Sequence, residues 1–135
     1  MPEIKTKTIV KTKKASSAHF KSGQGKMYVK STFNNTSVSF TDMNGNVICW
    51  SSAGTCGFKG AKRSTPYAAT TTVDEGLRKA KTLGVTTLEV FLKGPGPGKD
   101  ASIRLLKNSG IDINLLADTT PIPHNGCRPK KARRV

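Results

Sequence analysis

The chain has 135 residues, with 23 lysines and arginines against 8 acidic residues and a formal net charge of +15. This length suits one domain with a single core, and no apolar run approaches the roughly 20 residues that a membrane-spanning helix needs. Three unevenly spaced cysteines indicate free thiols, and His124 with Cys127 supplies only half of a zinc site, so we expect no metal and no cofactor.

The charge is concentrated at the two ends of the chain. Residues 1–30 carry eight lysines and one acid, residues 124–135 carry five basic side chains and no acid, and the residues between them carry ten basic and seven acidic side chains. A nearly neutral body with two cationic arms favours a nucleic-acid partner over a membrane, because neither arm has the apolar face of an interfacial helix. We predict a basic arm over residues 1–25, an α/β domain over 26–120 and a basic tail over 121–135.

Three strands are predicted after the first arm. Apolar and polar residues alternate over residues 27–33 and 36–41, with a turn at Asn34 and Asn35 between them. Asn44-Gly45 predicts a two-residue type I′ hairpin, in which both central residues have positive φ, before a third strand at 47–51. The three strands should form an antiparallel meander.

Two crossover units follow the meander. After a glycine-rich basic loop, Ser64 or Thr65 caps a helix that begins at Pro66 and ends near Leu83, where Gly84 stops it. A strand at 85–92, a glycine–proline loop at 93–99, a helix at 100–108 and a strand at 111–116 complete the body. The order βββαβαβ predicts an α/β fold with a mixed five-stranded sheet, right-handed β-α-β units and helices on both faces.

The last fifteen residues, PIPHNGCRPKKARRV, form an extended basic tail. Pro121, Pro123 and Pro129 keep this tail out of helices and sheet interiors, because proline fixes its φ and donates no hydrogen bond. Such a segment suits a polyanion, since each lysine or arginine that neutralises a phosphate releases a counterion. The alternative is a solvated tail without a partner.

The two glycine-rich loops lie at strand-to-helix junctions, where backbone N–H groups favour an anion. The GPGPGKD loop is one residue short of a P-loop and has Asp100 where the magnesium ligand should stand, so mononucleotide binding is excluded. Its amides, flanked by Lys93 and Lys99, could face an RNA backbone, or the glycines could serve loop geometry alone.

The loop before the first helix contains a GXXG sequence from Gly57 to Gly60. In KH domains this sequence lies between two helices, whereas here a strand precedes it, so the family is rejected and only the phosphate-binding chemistry is retained. Phe58 and Trp50 could stack on bases or belong to the core.

An enzymatic function is not expected. A metal-dependent nuclease would need carboxylates that converge on one edge of the sheet, but the first strand has none. Asp42 lies in a hairpin, and Asp74 and Glu75 lie on a helix. No Ser/His/Asp arrangement is present either.

Three motifs in order give the chain a family resemblance. The segments FNNTSVSFTDMNGNVICWSSAGTCGFKGAKRSTPYAA, LKGPGPGKDASIRLLKNSGIDI and DTTPIPHNGCRPKKARRV resemble the small-subunit ribosomal protein eleven family of the bacterial and organellar type, over about residues 28–135. The resemblance implies a ribonuclease-H-like sandwich without catalytic acids, which acts as a structural protein in translation. It also implies a place in the platform of the small subunit, bound to rRNA near the messenger exit and the E site.

The resemblance implies further partners and a set of RNA-facing residues. Its neighbours would be small-subunit proteins six, eighteen and seven, in many bacteria twenty-one, with messenger RNA nearby, in ribosomes of a bacterium, a plastid or a mitochondrion. The RNA-facing residues would be Asn34, Asn35, Lys59, Lys62, Arg63, Lys93, Lys99, Arg104, His124, Asn125, Arg128, Lys130, Lys131, Arg133 and Arg134. Ala132 stands where the family usually has a basic residue, and residues 1–25 match no family segment closely.

Asn125-Gly126 is a predicted site of isoaspartate formation. Glycine does not hinder its own amide nitrogen from attacking the Asn125 carbonyl, and the resemblance points to the same position, since some family members carry isoaspartate there. We predict conversion at Asn125 and little at Asn44, which a hydrogen-bonded hairpin should protect.

Overall fold

The structure, a computed structural model, describes residues 22–134. Within that range five strands and two α-helices follow the predicted order. The strands are β1 (Gln24–Ser31), β2 (Thr36–Thr41), β3 (Val47–Ser52), β4 (Thr87–Lys93) and β5 (Asp112–Asp118), and the helices are α1 (Pro66–Thr82) and α2 (Gly98–Asn108). A 3₁₀ helix (Gly60–Ser64), which was not predicted, precedes α1. Residues 1–21, most of the predicted N-terminal arm, lie outside the described residues.

Strand β1 begins at Gln24, three residues before the predicted strand. Gln24 and Gly25 pair with Thr87 and Leu88 of β4. Gly23 O accepts hydrogen bonds from the N–H groups of Thr86 and Thr87 at 2.8 and 3.1 Å. The sheet therefore begins two residues inside the segment that the charge pattern assigns to the arm.

The five strands form one mixed sheet in the order β3-β2-β1-β4-β5. The meander is confirmed, because β2 pairs antiparallel with both β1 and β3. Strand β4 pairs parallel with β1 and with β5. Strands β1, β3, β4 and β5 consequently run in one direction, and β2 alone is reversed.

Both α-helices pack on the same face of this sheet. The core under them contains Met27, Val29, Phe40, Val90 and Leu106, each at most 1% exposed. The prediction of helices on both faces is wrong for residues 22–134. Both crossovers step in the same direction along the sheet, from β3 to β4 and from β4 to β5, and right-handed crossovers of that kind place their helices on one side.

The hairpin between β2 and β3 differs from the predicted turn. Gly45 has φ +95°, but Asn125 is the one non-glycine residue within 22–134 with positive φ, so Asn44 does not meet the type I′ requirement. Gly45 N–H donates to Asp42 O at 3.2 Å and Asp42 N–H donates to Asn46 O at 3.0 Å. These bonds close a three-residue loop in which glycine takes the left-handed position.

Helix α1 is fixed at its start by a side-chain cap. Thr65 Oγ1 accepts a hydrogen bond from Ala68 N–H at 3.3 Å, and Pro66 takes the first helical position, where its missing N–H costs nothing. The hydroxyl of Thr72, a buried side chain, donates to the carbonyl oxygen of Ala68 at 2.7 Å, which satisfies it within the helix. Neither described α-helix is long and apolar enough to cross a membrane.

Candidate nucleic-acid interface

Seven of the fifteen sequence-predicted site residues meet at one end of the sheet. Because β1, β3, β4 and β5 run in one direction, their carboxyl ends lie along the same edge. We call this end of the molecule the carboxyl edge, defined by the turn at 32–35, the loop at 53–65, the glycine–proline loop at 94–97 and the start of the tail at 119–120. The predicted residues that it brings together are Asn34, Asn35, Lys59, Lys62, Arg63, Lys93 and Lys99.

The turn at 32–35 is held by the side chain of Thr32. Its Oγ1 accepts hydrogen bonds from the N–H groups of Asn34 and Asn35 at 3.3 and 3.0 Å, which leaves the Asn34 side chain exposed. Asn35 Oδ1 is buried and receives no hydrogen bond from any residue within 22–134. An unsatisfied buried acceptor costs about 1–3 kcal/mol.

The loop at 53–65 presents three exposed cations, Lys59, Lys62 and Arg63. Its path is fixed by backbone hydrogen bonds, because Ala53 N–H donates to Thr36 O at 3.0 Å and Phe58 N–H donates to Ala53 O at 3.1 Å. No ion pair within residues 22–134 neutralises the three cations. A fixed loop with unpaired cations can bind phosphates without ordering the loop first.

Tyr67, in the first turn of α1, is a surface residue that the sequence analysis did not assign to the site. Its side chain is 73% exposed, and its ring meets Phe58 edge to face with centroids 5.8 Å apart. Tyr67 and Arg104 line the same groove between α1 and α2, about 280 Å³ in volume. The groove extends the basic loop toward Arg104, a predicted RNA-facing residue. The sequence feature that could have identified Tyr67 is its position outside the apolar face of α1, where an aromatic side chain is exposed.

The amides of the glycine–proline loop are used inside the protein. Gly94 N–H donates to Thr120 Oγ1 at 3.2 Å, Gly96 N–H to Ser31 O at 3.1 Å and Gly98 N–H to Ser31 Oγ at 3.0 Å. The hypothesis that these amides form a phosphate-facing nest is therefore wrong for these three groups. A Cβ on Gly96 would collide with the carbonyl oxygen of Thr32. The glycines allow the loop to lie directly against the end of β1.

The two lysines that flank this loop have different surroundings. Lys93, the last residue of β4, is exposed and has no ion-pair partner within residues 22–134. Lys99 is 23% exposed at its side chain and forms an ion pair with Asp118, with Nζ and Oδ2 2.8 Å apart. Of the two, Lys93 is the lysine that is free to meet a phosphate.

The tail leaves the carboxyl edge from an anchored start. Thr119 N–H donates to Leu92 O at 2.7 Å. Beyond Thr120 every described residue is exposed, and none of the five basic side chains is in an ion pair within residues 22–134. The predicted site residues of this segment are His124, Asn125, Arg128, Lys130, Lys131, Arg133 and Arg134. The tail thus adds cations at the β5 side of the carboxyl edge, whereas the loop at 53–65 follows β3 on the other side of the sheet.

The described part of the chain holds no metal-binding side-chain cluster, and its cysteines have distinct surroundings. No group of three or more His, Cys, Asp or Glu side chains within 22–134 could hold a metal ion. Cys56 donates from Sγ to Glu75 Oε2 at 3.0 Å, and this bond, together with Lys79, lowers the pKa of Glu75. Burial raises the pKa of Cys49 to about 11, so this thiol is inert.

Comparison with known proteins identifies the family. The family model described as Ribosomal protein S11 matches residues 25–134. The chain is 50% identical over 113 residues to proteins named "Small ribosomal subunit protein uS11" from Borreliella burgdorferi and Borreliella afzelii, covering 84% of this chain and 87% of each relative. The expected resemblance is confirmed, and these relatives are structural proteins rather than enzymes. The chain therefore belongs to the ribosomal protein S11 family, whose members are structural components of the small ribosomal subunit.

Proposed function

We propose that the protein binds small-subunit rRNA through the carboxyl edge and the tail, in the platform near the messenger exit and the E site. The observation that carries this proposal is the clustering of unpaired cations: the loop at 53–65, Lys93 and the tail all lie at one end of the molecule. Each phosphate that they neutralise releases a counterion, which drives association.

The neighbours proposed for this position are small-subunit proteins six, eighteen and seven, and in many bacteria twenty-one, with messenger RNA nearby. The family resemblance supports this placement. The strand order β3-β2-β1-β4-β5, with both helices on one face, also supports assignment to the ribonuclease-H-like fold class. An ion pair between Lys99 of α2 and Asp118 holds the start of the tail beside this helix at the carboxyl edge. An RNA bound there would therefore contact both elements.

Salt dependence measures how many phosphates the tail contacts. Truncation after Pro123 removes five positive charges and should lower the slope of log affinity against log salt by up to about 3.5–4.5, at 0.7–0.9 per contacted phosphate. Filter binding to RNA of the small-subunit platform provides the measurement. An unchanged slope would show that the tail remains solvated and would remove it from the interface.

A matched pair of triple variants tests the carboxyl edge itself. Replacement of Lys59, Lys62 and Arg63 by alanine should lower the slope by about 2–3. The control replaces Arg78, Lys81 and Lys107, which carry the same charge and lie on the two helices away from that edge. Equal salt slopes for the two variants would mean that RNA binding depends on the net charge of the protein and not on cations at the carboxyl edge.

A DNA-compacting basic protein is the second candidate function, and the charge distribution is what favours it. A DNA-compacting protein should have similar affinity for duplex DNA and for platform RNA at the same salt concentration. Competition between the two ligands at one salt concentration separates the functions. Preference for the RNA is the expected result.

A further inference from the structure

The sheet face opposite the helices carries one row of side chains that the carboxyl edge does not use. Trp50, Ser39, Tyr28 and Phe91 lie directly opposite one another on β3, β2, β1 and β4, one residue per strand. Trp50 is 56% exposed and Tyr28 is 41% exposed. No helix within residues 22–134 covers this face.

We call the gap above Ser39, between the side chains of Trp50 and Tyr28, the trough. Neighbouring strands lie about 4.8 Å apart, so Trp50 and Tyr28 stand roughly 10 Å apart, with the small side chain of Ser39 between them. Tyr28 is backed on its other side by Phe91, with ring centroids 5.3 Å apart and planes 16° from parallel. Stacked rings lie about 3.4 Å apart, so a gap of roughly 10 Å between two rings has room for two stacked bases, with the hydroxyl of Ser39 beneath them.

The charges around the trough favour a polyanion. Lys26 and Lys30 precede and follow Tyr28 on the same face of β1, and Lys93 lies opposite Lys30 on β4. Glu89, opposite Lys26, is the acidic residue of this face within the three central strands. Three lysines against one acid suit a phosphate backbone better than the apolar or basic surface of a protein.

We infer that this trough stacks two neighbouring bases of single-stranded RNA between Trp50 and Tyr28, while the flanking lysines meet the adjoining phosphates. Aromatic stacking accepts any base because every base has a π-face, and lysines beside it supply the salt-dependent part of the affinity. This inference rests on the proposed RNA binding and deepens it: the carboxyl edge contacts phosphates, and the open sheet face contacts bases.

Trp50 is the only tryptophan of the chain and serves as its own reporter. The full chain is titrated at low salt with a short oligoadenosine RNA and, separately, with an abasic ribose-phosphate oligomer of equal charge. A stacked base should quench Trp50 fluorescence with the first ligand and leave it unchanged with the second. Equal quenching by both oligomers, or quenching by neither while filter binding shows bound RNA, would overturn the stacking assignment. The latter result would indicate a protein-binding face and leave the phosphate contacts intact.

Two variants locate the stacked bases. Ser39→Tyr fills the trough with a strand-compatible ring and should abolish quenching without changing the salt slope. Trp50→Leu, on the exposed edge strand, should weaken oligoadenosine binding by roughly 5- to 150-fold, the usual effect of losing one stacked base. Met43→Leu, at an exposed apolar residue of the hairpin between β2 and β3, is the control and should leave the quenching in place.

The outcomes of the two hypotheses remain separable. If Ser39→Tyr lowers the melting temperature, the affinity of Trp50→Leu for oligoadenosine still tests the stacking. An affinity equal to that of the unaltered chain would overturn the inference. Absence of any RNA binding by the unaltered chain at low salt would instead reject the proposed function, and the inference with it.

Discussion

The ammonium group of Lys99 lies 2.8 Å from Oδ2 of Asp118, so an ion pair joins the first turn of α2 to the last residue of β5. Thr120 completes the network, since its hydroxyl donates to Asp118 Oδ1 and accepts from Gly94 N–H. The hydrogen bond from Lys99, followed by those from Thr120, holds the pKa of Asp118 at about 2. A lysine that the family resemblance assigns to RNA is thus engaged in anchoring the tail.

The ion pair predicts an acid-sensitive contribution to stability. Because the pKa of Asp118 is depressed in the folded state, its contribution is present above about pH 4 and is lost as the pH falls toward 2. Asp118→Asn should lower the melting temperature at pH 7, and its difference from the unaltered protein should vanish near pH 2. Thermal melts across this range measure the effect. Asp112→Asn, at the other end of β5, is the control, and a difference that persists at pH 2 would contradict the prediction.

Gly96 should be required for folding rather than for RNA contact. In Gly96→Ala the new Cβ would collide with the carbonyl oxygen of Thr32, and this overpacking should cost about 1–3 kcal/mol of unfolding free energy. Gly54→Ala is the matched control, because its Cβ would meet its nearest neighbour, Ser52 Oγ, at 3.8 Å. Denaturant titration gives both values. RNA binding of Gly96→Ala should return to normal once the unfolded fraction is corrected for, and a residual loss would restore a direct role for the loop.

Gly76 should resist replacement although it lies inside a helix. Alanine normally favours a helix interior by about 1 kcal/mol over glycine, but a Cβ at Gly76 would lie 2.7 Å from the ring of Phe40. Gly76→Ala should therefore destabilise the protein despite its better helix propensity. In the double variant Gly76→Ala with Phe40→Leu the loss should be smaller than the sum of the single losses. Additive losses in denaturant titrations would mean that the two residues are not coupled.

Asn125 should convert to isoaspartate and Asn44 should not. Asn125 is exposed with φ +59°, and Gly126 N–H has no hydrogen-bond acceptor within residues 22–134. The nitrogen that would attack Asn44 is held, because Gly45 N–H donates to Asp42 O at 3.2 Å. Peptide mass spectrometry with electron-based fragmentation distinguishes the two backbones in protein taken from mature ribosomes. Unmodified Asn125 in that material, or equal conversion at both sites, would contradict the prediction.

The order of the elements and the placement of charge could be read from the sequence, because both depend on local features. Alternation predicted β2 at its observed bounds, and Thr65-Pro66 predicted the start of α1. The tail with its three prolines and the basic loop at 53–65 could be recognised for the same reason, since a run of basic residues without acids is identified from the local sequence alone. The three motifs then sufficed to predict the family.

Tertiary structure decided which of these groups remain free. The amide of Gly98 bonds to Ser31, 67 residues earlier, and Lys99 pairs with Asp118, so neither partner could be inferred from neighbouring sequence. The shared direction of both crossovers placed the two helices on one face and left the other open. The row from Trp50 to Phe91 exists because strand register aligns residues from four separate segments, and register is set by packing across the whole sheet.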